Sequence, residues 1–464
     1  MPDRNPLSDL TFLGGSSRLA KYIGRPIHHF AAIQATGGVL MLIATVAALV
    51  WVNSPWQGSY YDFWHTHISF SVADYHFEHD LEHVVQDGLM AVFFFVVGLE
   101  IKRELVVGQL RDPRFAALPA VAALGGMVVP ALIYLAFNSG GEGQDGWGIP
   151  MATDIAFAVG VLSLLGNRIP SQMKVFLLTL AIVDDIGAIL VIATYYTSDL
   201  SGNWLLTAGI LLGGILILRQ LHVWYLPVYM VIGVAFWLAV LESGVHATIA
   251  GVILGLLTPA KPLESEDDAR RWASWLQMQD VVHLDEVRRV GFHIRESQPV
   301  SLRIQELLQP ITSYIIIPVF ALSAAGVELS GDLLADAVTS PITLGVAVGL
   351  VAGKTVGITL FSWVAHRLGW VTIPKSLAGT HMLGVAMVAG IGFTVSLFIS
   401  RLAFGEQAIA DESKIGILMG SLIAAVAGLV ILARTQKRPE NSLQHQPQNN
   451  PKTQPPKHPE KPKP

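Results

Sequence analysis

Residues 175–196, VFLLTLAIVDDIGAILVIATYY, constrain this chain more than any other stretch. The run is apolar for long enough to cross a bilayer, which takes about 20 residues at 1.5 Å each. At its centre stand two adjacent acids, Asp184 and Asp185. Each then lies on the order of 15 Å from either membrane surface by that rise. Even the most lenient insertion scale sets the cost of such an acid at roughly 2.5–3.5 kcal/mol. A cost of that size is ordinarily met by a purpose: holding a cation, moving a proton or pairing with a base. A buried structural ion pair is the bland alternative.

The rest of the composition agrees with a membrane setting. Of 464 residues, 52% are hydrophobic and only 14% charged, against about 25% charged in soluble domains. There is no cysteine, which excludes disulfides, thiol catalysis and Cys-based metal sites. No cofactor and no nucleic-acid partner is expected. Residues 1–28 are polar, with Arg4, Arg18, Lys21 and Arg25, and lack a short apolar core followed by a small-residue cleavage site, so no cleaved signal peptide is expected.

Apolar runs place twelve spans near 29–53, 80–101, 115–137, 147–165, 175–196, 203–218, 223–241, 244–258, 310–327, 341–365, 377–400 and 413–434. The expected fold is an all-α polytopic membrane protein: a cytoplasmic N-terminal segment over 1–28, a transmembrane domain over 29–435 and a disordered Pro-rich tail over 436–464. The outer loop 54–79 contains HISFSV and YHF on either side of Ala73-Asp74, which predicts a short β-hairpin. In the charged loop 259–309, Trp272, Trp275 and Leu276 fit one face of a surface helix. Lys and Arg collect in alternate loops, which puts both termini in the cytoplasm and the hairpin outside. Only Arg401 and Lys414 break that pattern, on the outer side.

More polar features lie inside the spans. Asp154 follows Pro150 and Thr153 in the middle of span four; the proline removes a backbone donor and predicts a broken helix there. Lys354 sits at the centre of span ten, too deep to snorkel, and needs an acidic partner or a lowered pKa. Span eleven carries Gly390-Ile391-Gly392-Phe393-Thr394, a run that permits unwound backbone, although close helix packing is the competing reading. Asp87 and Glu100 lie in span two, and His246 near one end of span eight; each has a bland reading as a bundle contact, a solvated helix end or a backbone partner. Spans four and eleven are the middle members of two groups of three. Interrupted helices at matching places point to an inverted-repeat transporter with its site at the midplane. Exposed helix ends there carry partial charges, positive ends suiting Asp154 and negative ends Lys354.

These motifs resemble the NhaA-type sodium/proton antiporters. The resemblance is carried by MATDIAFA at 151–158, VDDIGA at 183–188, GVHAT at 244–248, Gly353-Lys354, GIGFT at 390–394, DGLMAVFF at 87–94 and VGLEIKREL at 97–105, over residues 27–435. NhaA-type antiporters are among the folds behind the interrupted-helix rule. The resemblance implies two inverted five-helix repeats plus two helices, with spans four and eleven unwound and crossing. It implies Asp184 and Asp185 as the ion and proton site, and therefore as ligands of the transported Na⁺. Asp154 and Lys354 become the charge-compensating pair, Thr153 part of the unwound chain, and Lys354 a candidate partner of Asp184. It further implies a homodimer through the hairpin, and a pH response at Glu100, Arg103 and Glu104. Ser323-Ala324-Ala325-Gly326, Thr355 and Gln305, Glu306 and Gln309 depart from the family's usual residues, which bears on the pH threshold.

The implied activity is electrogenic, pH-regulated exchange of cytoplasmic Na⁺, and also Li⁺, for external H⁺ in a bacterial inner membrane. Two other readings compete. An intramembrane aspartyl protease would use two aspartates on different helices, commonly within Gly-x-Gly-Asp. A passive cation channel would show no proton coupling.

Overall fold

The computed structural model describes residues 36–72, 75–166, 169–197, 200–221, 226–279, 283–330, 339–405 and 407–435. The N-terminal segment 1–28, the tail 436–464 and the Ala73-Asp74 turn lie outside the described residues. The chain opens with α1 (Thr36–Val52), a 118° bend, and α2 (Gln57–Trp64). An antiparallel hairpin follows, β1 (His67–Val72) with β2 (Tyr75–Asp80), pairing Phe70 with Phe77 and Val72 with Tyr75. The second strand runs three residues beyond the expected YHF, because Asp80 both ends the strand and caps the next helix, accepting from the His83 amide at 2.7 Å.

The remaining helices are α3 (Leu81–Val106), α4 (Pro113–Asn138), a 3₁₀ segment (Gln144–Met151), α5 (Ile155–Ser163), α6 (Ser171–Tyr195), α7 (Gly202–Gln220), α8 (Leu226–Leu241) and α9 (Ala247–Leu257). They continue as α10 (Glu266–Gln277), α11 (Leu284–Glu296), α12 (Val300–Ala324), α13 (Pro341–Arg367), α14 (Thr380–Ala389), α15 (Phe393–Ala403) and α16 (Gln407–Thr435). Their starts are written locally. Asp112 and Ser340 accept from backbone amides ahead of Pro113 and Pro341, where a missing N–H costs nothing.

Among the described residues, eight helices are long and apolar enough to cross a membrane, or up to ten if each bent pair is one span; α9 and residues 227–241 are shorter apolar helices. The chain is thus an all-helical polytopic membrane protein with one small two-stranded sheet. Helix α12 begins at Val300, ten residues before the span-nine start that hydropathy gives. Ser301, Arg303, Gln305 and Glu306 hold hydropathy down, while Ser301 and Gln305 still take the buried side of a continuing helix. In the loop region α10 and α11 pack together, with Trp272 stacked on His293 at 4.3 Å, so the surface helix expected around Trp272 is present.

Packing divides the spans into two groups. In one, α4 runs along α13, and α16 along α13 and α14, with α6 against α4. In the other, α3 runs along α9, α1 along α12, and α7 along α8. The groups meet along α1–α5, α3–α6 and α12–α15. The closest crossings rest on missing side chains. A Cβ on Gly125 would strike the Gly357 carbonyl and the reverse, and a Cβ on Gly251 would strike the Ala91 carbonyl. In lipid, where apolar burial drives little helix association, such close backbone approach is a main source of attraction.

Gly251→Leu should therefore lower stability by about 1–3 kcal/mol through overpacking, read as a lower melting temperature in detergent. Gly213→Leu on α7, where a Cβ meets nothing within 4 Å, should leave it unchanged.

Candidate functional site

Span four breaks where Pro150 predicts. The 3₁₀ segment ends at Met151, residues 152–154 are extended, and α5 restarts at Ile155. Span eleven breaks between α14 and α15 with a 47° bend. The two interruptions meet. The Asp154 amide donates to the Ile391 carbonyl at 2.7 Å, and Thr153 Oγ1 lies 2.8 Å from the Ala389 carbonyl. Gly390 and Gly392 have φ of −70° and −93°, so the freedom of left-handed backbone is not what glycine supplies here. It supplies closeness: a Cβ on Gly390 would strike the Leu350 carbonyl, and one on Gly392 would strike Ser396 Oγ.

Asp154 joins the two restarting helices. As N-cap of α5 it accepts from the Phe157 amide at 2.9 Å through Oδ1, while Oδ2 accepts from the Thr394 amide at 3.1 Å and hydroxyl at 2.6 Å. One carboxylate thus meets the positive ends of two helices. Sequence motifs alone imply no part for Thr394; its place just after the second glycine, in the first turn of the restarted helix, is the signal that marks it.

Lys354 follows a π-helical turn, Gly349–Gly353, packed against Pro150 and Pro130. Its ammonium donates to Asp184 Oδ2 at 2.5 Å and to Thr153 Oγ1 at 2.9 Å. Thr153 Oγ1 also lies 2.8 Å from Asp184 Oδ2. Lys354 therefore reaches the negative end of α14 only through the Thr153 hydroxyl, rather than directly as expected from helix-end charge alone. Lys354 and Asp184 are both 0% exposed. Asp184 Oδ1 accepts no hydrogen bond from the described residues. Asp185 is 5% exposed and makes none with them, although it lies within electrostatic reach of Asp184, Glu100, Asp154 and Lys354.

The other expected residues lie apart. His246 Nε2 is 2.8 Å from the Tyr196 carbonyl, the backbone contact of its bland reading. Glu104 accepts from the Gln109 amide at 2.7 Å, closing the turn after α3; no hydrogen bond or ion pair joins it to Glu100 or Arg103 among the described residues. Asp87 lies in a π-helical turn, Val84–Leu89, and its carbonyl accepts from Trp237 Nε1 at 3.0 Å. No group of three or more metal-ligating His, Cys, Asp or Glu occurs among the described residues.

A multi-span helical protein with two broken helices crossing beside a buried Asp–Lys pair is built as a secondary transporter. Residues 28–432 match a family described as Na⁺/H⁺ antiporter 1. Similar proteins include the Na⁺/H⁺ antiporter NhaA of Rhodopirellula baltica, 46% identical over 89% of this chain and 95% of that one. Others are NhaA 3 of Frankia alni, 46% identical over 88% of each, and NhaA 2 of Myxococcus xanthus, 44% identical over 91% and 92%. The chain belongs to the NhaA family of Na⁺/H⁺ antiporters. It is a transporter exchanging Na⁺ for H⁺, not an enzyme, which sets aside both the protease and the passive channel.

Asp154→Ala strands the Phe157 and Thr394 amides and should cost about 2–4 kcal/mol from one lost cap and a buried unpaired donor. Asp154→Asn, which keeps an accepting oxygen, should cost less. Melting of the purified variants in detergent reads both.

Proposed function

We propose that Asp184 and Asp185 are the single site at which Na⁺ and H⁺ take turns, with Lys354 as the internal cation that stands in for sodium. The observation that carries this reading is the asymmetry of the pair: Asp184 is held by Lys354 and Thr153, and Asp185 by no hydrogen bond from the described residues. A carboxylate so deeply buried ionises at tolerable cost only when a cation is beside it. In the proton-loaded state Asp185 carries a proton and Lys354⁺ pairs with Asp184⁻, leaving the three groups neutral. An arriving Na⁺ takes the oxygens of both acids and displaces Lys354. The Asp185 proton and one from Lys354 then leave toward the sodium's side of origin. The three groups plus Na⁺ now sum to one negative charge. Two protons thus exchange for one sodium, and the exchange is electrogenic, driven by the membrane potential. Li⁺, a hard cation of the same charge, is a second substrate in this reading.

The wider assignments belong to the same proposal. Twelve crossings are supported by adding the two short apolar helices to the eight long spans and two bent pairs of the described residues. The triplets α4–α6 and α13–α16, each with its interruption in the middle, support two inverted repeats. The distribution of Lys and Arg supports cytoplasmic termini in a bacterial inner membrane, with 54–79 outside and 259–309 inside as a cytoplasmic loop. The transmembrane domain then covers 29–435, between a cytoplasmic segment 1–28 and a tail 436–464. The hairpin, a two-stranded sheet among the described residues, is the homodimer contact. Glu100, Arg103, Glu104 and His246 form the pH-responsive set, with Asp87 as a further intramembrane polar group.

In proteoliposomes followed by acridine-dye dequenching, Asp185→Asn should abolish Na⁺-driven proton flux. Asp184→Asn should abolish it or leave exchange indifferent to membrane potential. Normal, potential-sensitive flux in either variant overturns the assignment. Lys354→Gln leaves Asp184 an unpaired buried acid and should cost about 3–5 kcal/mol when that acid is ionised, visible as a melting temperature that falls as pH rises.

A further inference from the structure

The two basic residues that break the charge pattern, Arg401 and Lys414, are not loop charges in the fold. Arg401, on the last turn of α15, forms an ion pair with Glu82 on the first turn of α3. Its guanidinium also donates to the Ser323 carbonyl at the end of α12 at 3.2 Å, and the Gln86 amide lies against it. Tyr60 of α2 donates to the same Ser323 carbonyl at 2.9 Å, and Lys414 pairs with Asp411 at 2.7 Å. These groups border a cavity of about 310 Å³ at the hairpin end of the molecule, lined by Tyr60, Glu82, Gln86, Arg401 and Lys414 among others.

The position of Arg401 gives the cluster its meaning. It belongs, through α15, to the helix group that contains the broken crossing, while Glu82 and Ser323 belong to the other group. Along α15 it stands seven residues above Thr394, about 10 Å by helical rise, and Thr394 holds Asp154. Between the two levels lies buried Phe398, with Phe94 at 5.4 Å and Phe320 at 6.4 Å. Met90 sits on α3 one turn below Gln86 and one above Phe94, and is also buried. A polar cavity, a charged tie and an aromatic layer thus lie in sequence between the hairpin end and the crossing. The charged tie is a partly buried ion pair that spans both groups, and such a pair has two distinct states, made and broken.

We propose that Arg401 is a positioning residue for exchange: bonded to Glu82 and Ser323, it latches the two helix groups together at the hairpin end and keeps the ion site closed on that side. The latch must release for the site to open there. Rocking of one group against the other about a fixed site is how inverted-repeat transporters alternate access. The idea rests on the Asp184–Asp185 site proposed above, since it concerns what that site faces.

The chain has no cysteine, so Met90→Cys gives a single reporter beneath the latch. A membrane-impermeant thiol reagent is applied to right-side-out and to everted membrane vesicles. Arg401→Gln and Glu82→Gln should each speed labelling from the hairpin side about tenfold, and from the other side not at all; tenfold corresponds to 1.4 kcal/mol. Arg401→Lys, which keeps the charge, should label much closer to the parent. Labelling within twofold of the parent in both neutral variants overturns the latch. Equal acceleration from both faces also overturns it, since it reports general loosening. Where Arg401→Gln yields no folded protein, Glu82→Gln decides alone, its side chain being partly exposed. Asp185→Asn is run beside them for exchange: persistent exchange would reject the ion-site reading, while the labelling rates still judge the latch.

Discussion

The contact on which the rest depends is the ion pair between Lys354 and Asp184, both sealed from solvent. Either charge alone in that interior would be costly enough to unsettle the helix that carries it; together, with the Thr153 hydroxyl in reach of both, they are tolerable. The arrangement sets a constraint on three elements at once. Helix α13 must present Lys354 to α6, and the extended chain at 152–154 must pass between them. A buried pair of this kind contributes little net stability but dictates a register.

The crossing solves the complementary problem. Breaking two helices in a bilayer exposes amides and carbonyls that lipid cannot satisfy. Here they satisfy one another. Asp154 takes up amides of α5 and of the first turn of α15, its own amide binds the Ile391 carbonyl, and Thr153 lies against Ala389. The polar groups that make the break affordable therefore adjoin the buried Lys354–Asp184 pair. Glycines let the supporting helices come near enough to do this, at Gly390 against Leu350 and at Gly125 against Gly357. The hairpin end adds a second polar level, where Arg401 bridges the two helix groups above a layer of phenylalanines.

Much of this was legible in the residues. Acids and a lysine within apolar runs announce themselves because lipid makes them expensive, and Pro150 marks its break because a ring on nitrogen removes a donor whatever surrounds it. Where single residues act through neighbours far along the chain, legibility failed. Glycines at 390 and 392 suggested backbone freedom, yet their φ values are ordinary and their use is closeness to Leu350 and Ser396. Arg401 read as an outer-loop charge because hydropathy sees only neighbours in sequence, whereas Glu82 lies more than three hundred residues away.

By itself, then, the sequence determined the membrane setting, the long apolar helices, the Pro150 interruption and the deep ionisable residues Asp154, Asp184, Asp185 and Lys354, since each follows from local transfer cost and backbone chemistry. Only the tertiary structure decided the pairing: that Lys354 takes Asp184 and leaves Asp185 without a hydrogen-bonding partner among the described residues, that Asp154 caps two helices, and that Arg401 ties one helix group to the other. The physical reason is range. Solvation and backbone sterics act within a few residues, while the partner of a buried charge is whichever opposite group packing brings within about 3 Å, and that depends on how every other helix is placed.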